Sequence, residues 1–136
     1  MNNIQITELV NYIIDCMEKQ GGPSVSSKGN CMYRGPNNTK CAIGHLIGDH
    51  LYRESFEGTT ISTHITTPFT ITIKNEIKEA IQQSFPYYQF DGRDWNLLGE
   101  IQRLHDRCSG DRVNFDRFFT RALKQKLKRL LDENNS

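Results

Sequence analysis

The chain predicts a mainly helical α+β domain. Several long stretches carry apolar residues at helical spacing, and one Thr/Ile-rich run, Phe69-Thr70-Ile71-Thr72-Ile73, alternates apolar and polar residues as a half-buried strand does. A strong turn signal, Gly35-Pro36-Asn37-Asn38, marks a second place for a small β element. At 136 residues the chain fits one domain, 1–136, with about five helices and one core.

Ile6, Leu9, Val10, Ile13, Ile14 and Met17 share a helix face, and Gly21-Gly22-Pro23 stops the pattern, so helix one runs from about Gln5 to Gln20. Ser24 to Asn30 is a polar connection. Cys31-Met32-Tyr33-Arg34 then enters the Gly-Pro turn as a hairpin arm or a strand leading into a helix. Ala42, Ile43, Leu46, Ile47 and Leu51 fit a second helical stripe, which Gly44 and Gly48 weaken by about 1 kcal/mol each. Glycines four apart imply that a backbone or a ligand comes close.

Pro68 opens the expected strand, and helix three, about Lys74 to Ser84, ends before Pro86. Phe85 to Gly92 is an aromatic loop, suited to clamping the core or to stacking on bases. Trp95, Leu98, Ile101 and Leu104 define helix four from Asp94, its expected cap, to Arg107 or Cys108. Phe115, Phe118, Phe119, Ala122, Leu123, Leu127, Leu130 and Leu131 define the last helix, with Asn114 as its cap. The last few residues are expected to be disordered.

The formal charge of +1 argues against a dedicated duplex-DNA binder. The charge is uneven, however: Arg112 to Ser136 holds seven Lys or Arg against three acids. A basic final helix therefore rides on a slightly acidic body. No export signal and no run of 18 apolar residues are visible, so a cytoplasmic address without membrane insertion is expected. There the four cysteines would be reduced, packing as small hydrophobes.

Cys31, Cys41 and His45, with His105 or Cys108, could assemble a metal site. Nine residues separate the two cysteines, though, and no second close pair exists, so neither a metal nor another cofactor is expected. Cys41 with His45 could form a thiol–base pair, against the commoner buried packing thiol. His105 could be a general acid or base, a phosphate donor, or a hydrogen-bonded structural residue. Asp106, its neighbour on a helix, should face away from it. No catalytic residue is assigned.

Arg34 stands out because it follows Tyr33 and precedes a tight turn, where a guanidinium can be held for bidentate phosphate recognition. A salt bridge to Asp49 or Glu57 is equally compatible with that position. With Lys40, His45, Arg53 and His105, Tyr33 and Arg34 make a candidate site for a small nucleotide-like anion.

The pattern Cys-x-Tyr-Arg-Gly-Pro from Cys31, Lys-Cys-Ala-Ile-Gly-x-Leu-Ile-x-Asp-x-x-Tyr from Lys40, Glu57-Gly58 and Leu104-His105-Asp106 resembles a widespread family of small phage and prophage proteins without a settled activity. Members often carry Pro-Asp-Glu where this chain has Gly48-Asp49-His50, and a small residue or Cys in place of His45. The resemblance implies phage origin, action in the host cytoplasm and a place among accessory genes that manage host defence. Three expectations follow: a homo-oligomeric, non-catalytic sponge for a nucleotide-derived immune signal; a small phosphodiesterase that destroys it; or an inhibitor docking on a host defence protein through the basic helix.

Overall fold

The protein is described by a computed structural model over residues 1–135. Its helices are α1 (Asn3–Gln20), α2 (Pro68–Ser84), α3 (Gly92–Cys108) and α4 (Phe115–Asn134). Between α1 and α2 the chain makes single 3-10 turns at Pro36–Asn38, Gly44–Leu46, Asp49–Leu51 and Glu54–Phe56. α4 packs against both α1 and α3. None of the four helices is long and apolar enough to cross a membrane.

The described residues contain no β-strand, and a lone bridge, Val25 with Cys31, is their whole β content. The α+β expectation is therefore wrong: the domain is all-helical, with four α-helices instead of about five. The Thr/Ile run begins α2. Thr67 caps it, accepting from the Thr70 N–H, and Pro68 occupies the first turn, where its missing N–H costs nothing. Phe69 and Ile71 are exposed, whereas Ile73, Ile77, Ala80 and Ile81 are buried at helical spacing. The alternation at Phe69, Ile71 and Ile73 was a coincidence at the end of a 3.6-residue pattern, which continues inward from Ile73. The stripe from Ala42 to Leu51 is likewise no α-helix. Ala42, Ile43, Leu46 and Ile47 are buried and Leu51 is half-buried, around two 3-10 turns separated by extended Ile47.

Asn2 caps α1 through a box with Gln5, and left-handed Gly21 ends it. The cap of α3 is Asp91; Asp94 lies one turn in, closing the box from the other side. The aromatic loop is a ladder of rings, Phe85 on Tyr88 and Phe90 on Trp95, that closes the α2–α3 connection. The expected terminal disorder falls in part on Ser136, outside the described residues; α4 itself continues to Asn134.

Candidate functional site

Cys31 to Gly58 folds without a hydrogen-bond ladder of its own, so side chains tie it together. Arg34 is the central tie. Its Nη1 donates to the carbonyls of Tyr33 (3.1 Å) and Gly44 (2.8 Å), and its Nη2 to the Ile47 carbonyl (2.7 Å) and Asp49 Oδ1 (3.1 Å). The guanidinium also lies over the Tyr52 ring. Glu57 is the second tie, accepting the backbone N–H groups of Tyr33 and Arg34 and the Tyr52 hydroxyl.

One wall of this loop faces α3 across a cavity of about 590 Å³, lined by Cys31, Tyr33, Cys41, Glu57, Gln102 and Asp106 among others. Four of the stretches that carry the resemblance, at Cys31, Lys40, Glu57 and Leu104, thus contribute a residue to one cavity. The Tyr33 hydroxyl donates to the Thr59 carbonyl (2.6 Å) and accepts from Gln102 Nε2 (2.8 Å), while Gln102 Oε1 accepts from the Ile61 N–H. These groups hold one another and set the wall rigidly.

Behind Asp106 lies His105, fully buried against Phe115 and Phe119. Its Nε2 accepts from the Ser24 N–H (3.3 Å), which places the ring proton on Nδ1, 3.1 Å from Asp106 Oδ1. The two residues are therefore joined, contrary to the expectation that helix neighbours face apart, because the ring turns along the helix surface. Both ring nitrogens are occupied, so His105 positions Asp106 and has no free nitrogen to offer a ligand.

Cys31 Sγ, His105 and Asp106 offer ligand atoms within 4.8 Å of one another, a spacing that a metal could use. The protons argue otherwise. A metal on Nδ1 would move the ring proton to Nε2, facing the Ser24 N–H donor. Burial pushes the Cys31 thiol up to about 11, and Asp106 adds to the shift; burial pushes Cys41 to about 12. Both thiols keep their protons at neutral pH, and the cluster fits a hydrogen-bonded chain better than a metal centre.

On the other side of Asp106, α3 and α4 enclose a groove of about 580 Å³ lined by Arg103, Arg107, Lys126 and Arg129, with Glu100 and Asp106 as its acids. Lys126 pairs with Glu100. No described residue forms a hydrogen bond or ion pair with Arg103, Arg107 or Arg129. At about 100° per residue, Gln102, Asp106, Arg103 and Arg107 follow one another around α3. Asp106 is therefore the ridge shared by the polar cavity and the basic groove.

The six residues singled out by sequence do not converge. Tyr33 walls the cavity and His105 backs it. Arg34 is spent on the loop. Lys40 reaches Asp49 at 3.1 Å, and with His45 it lines a separate cleft of about 270 Å³ near Tyr12 and Phe85. Arg53 is exposed. Sequence reasoning missed Gln102, Arg103 and Arg107, and took Arg129 only as the end of a basic helix; the readable signal was Arg103 and Arg107 four apart, flanking Asp106, opposite that helix.

His45 Nε2 meets Gln20 Oε1 at 2.9 Å, and burial first, then Lys40 and Arg34, lower its pKa from 6.5 to about 4. The unfolded chain thus takes up this proton more readily than the fold. The stabilisation is complete above pH 6.5 and is lost as pH falls toward 4. Allowing for partial exposure, this amounts to roughly 2 kcal/mol. Urea unfolding at pH 7 and pH 4.5 should show a smaller acid loss in His45→Gln than in the parent; equal losses would refute the assignment.

No family model matches this chain, and neither a curated protein nor a solved structure does.

Proposed function

We propose that the protein is a non-catalytic binder of a small nucleotide-like polyanion, seated across the Asp106 ridge with its phosphates in the α3–α4 groove. One observation carries the reading: Arg103, Arg107 and Arg129 line a single groove with no hydrogen-bond or ion-pair partner among the described residues, beside a preorganised polar cavity. Uncommitted guanidinium groups are suited to phosphate oxygens, which they can bind in bidentate pairs. Binding without turnover is supported by the protonated thiols and by a buried His105 with both nitrogens engaged. The resemblance to phage accessory proteins supplies the setting of the proposal, sequestration of a nucleotide-derived immune signal in the host cytoplasm.

The test is to incubate the purified protein with a nucleotide extract, remove unbound material, denature, and identify by mass spectrometry what is released. An intact phosphorylated ligand is expected. Arg103→Ala combined with Arg107→Ala should weaken its binding about 100-fold, since a charged hydrogen bond contributes about 1.5–3 kcal/mol. Release of a cleavage product, or full binding by the double variant, would reject the proposal.

A further inference from the structure

We infer that the polar cavity selects the base, and that the ligand is a guanine nucleotide. This rests on the reading of the α3–α4 groove as the phosphate seat and adds which nucleotide occupies it.

The polar and charged groups of the cavity wall differ in how much hydrogen-bonding capacity they have left. The Tyr33 hydroxyl both donates and accepts within the wall, and each end of the Gln102 amide is held there by one bond. Glu57 accepts three bonds, Oε1 from Tyr33 and Oε2 from Arg34 and Tyr52, so only about one of its four positions is left. Asp106 differs. Its side chain is 37% exposed, and a carboxylate offers about four acceptor positions. His105 Nδ1–H takes one, while the Cys31 thiol is paired with Ser109, so about three remain for an occupant. His105, itself held by Ser24, fixes the orientation of the carboxylate.

A carboxylate placed this way calls for paired N–H donors, yet it stands beside a groove that calls for phosphate. The occupant must carry both. Guanine presents N1–H and the exocyclic N2–H side by side, two parallel donors matched to the two oxygens of a carboxylate. Adenine and cytosine each set a donor beside a ring acceptor, and uracil sets its one donor between two carbonyls; in each case an acceptor lone pair would face Asp106. Because Asp106 is the ridge between the two spaces, a base on its cavity side leaves the sugar and phosphates to pass over it toward Arg103 and Arg107.

Calorimetric titration of the protein with GTP, ATP, CTP, UTP and inorganic triphosphate tests this. GTP should bind at least about 10-fold tighter than the other three nucleotides, the discrimination expected of one bidentate base contact. Asp106→Asn keeps an acceptor for His105 but replaces one acceptor toward the base with a donor. The variant should lose the preference for GTP, gain binding of xanthosine triphosphate, whose edge offers one donor and one acceptor, and bind triphosphate at least as tightly as the parent, since one negative charge leaves the groove. That gain cannot come from a damaged fold. Equal binding of all four nucleotides would overturn the guanine assignment while leaving the phosphate groove standing. Failure of every nucleotide and of triphosphate to bind would overturn both.

Discussion

Arg34→Ala should lower the stability of the domain by about 3–5 kcal/mol, because the guanidinium serves three backbone carbonyls, of which only that of Gly44 has a second donor, the Ile47 N–H. Leaving a buried acceptor unpaired costs about 1–3 kcal/mol, and the loop has no strand pairing to compensate. The contact with Asp49 adds little, since that carboxylate is 80% exposed. Arg34→Lys should recover less than half of the loss: one ammonium cannot span carbonyls served by two guanidinium nitrogens. Urea unfolding followed by the fluorescence of Trp95, the single tryptophan, measures both variants. The same experiment separates the two meanings the sequence left open for this arginine. A loss under 1 kcal/mol together with a tenfold loss of ligand affinity would make Arg34 a ligand contact and refute its role as the tie of the loop.

Gly44→Ala should cost about 3 kcal/mol or more, or prevent folding altogether, for a different reason. A methyl group there would lie 2.4 Å from the Tyr33 carbonyl oxygen and 3.2 Å from its carbonyl carbon. The obstacle is backbone, and that oxygen is itself fixed by Arg34. Crowding is the cause, since Gly44 does not adopt a positive φ. Gly110→Ala is the control, as its added methyl meets nothing within 4 Å and should change stability by less than about 0.5 kcal/mol. Similar unfolding midpoints for the two variants would show that Tyr33 and Gly44 are not in close contact. The glycine spacing had implied that a backbone or a ligand approaches here, and the structure identifies it as the Tyr33 backbone.

What the sequence determined by itself is the helices whose apolar pattern and stop signals are local. α1 was expected over Gln5 to Gln20 and spans Asn3–Gln20; α3 was expected from Asp94 and begins at Gly92, and α4 follows Asn114 as expected, although that side chain makes no capping hydrogen bond. A 3.6-residue repeat and a capping side chain act within a few residues, so they can be read without knowing the fold. The same local reading failed at Phe69 to Ile73, where three alternating apolar residues resemble a strand and only burial shows that Ile73 alone points inward. Tertiary structure alone decided the rest. Whether Arg34 is spent or free depends on carbonyls as far as Ile47, the cavity wall on Tyr33 meeting Gln102 across 69 residues, and the basic groove on α4 packing beside α3. Those pairings follow from which apolar faces bury against each other over the whole chain, and the spacing of nearby residues does not encode them.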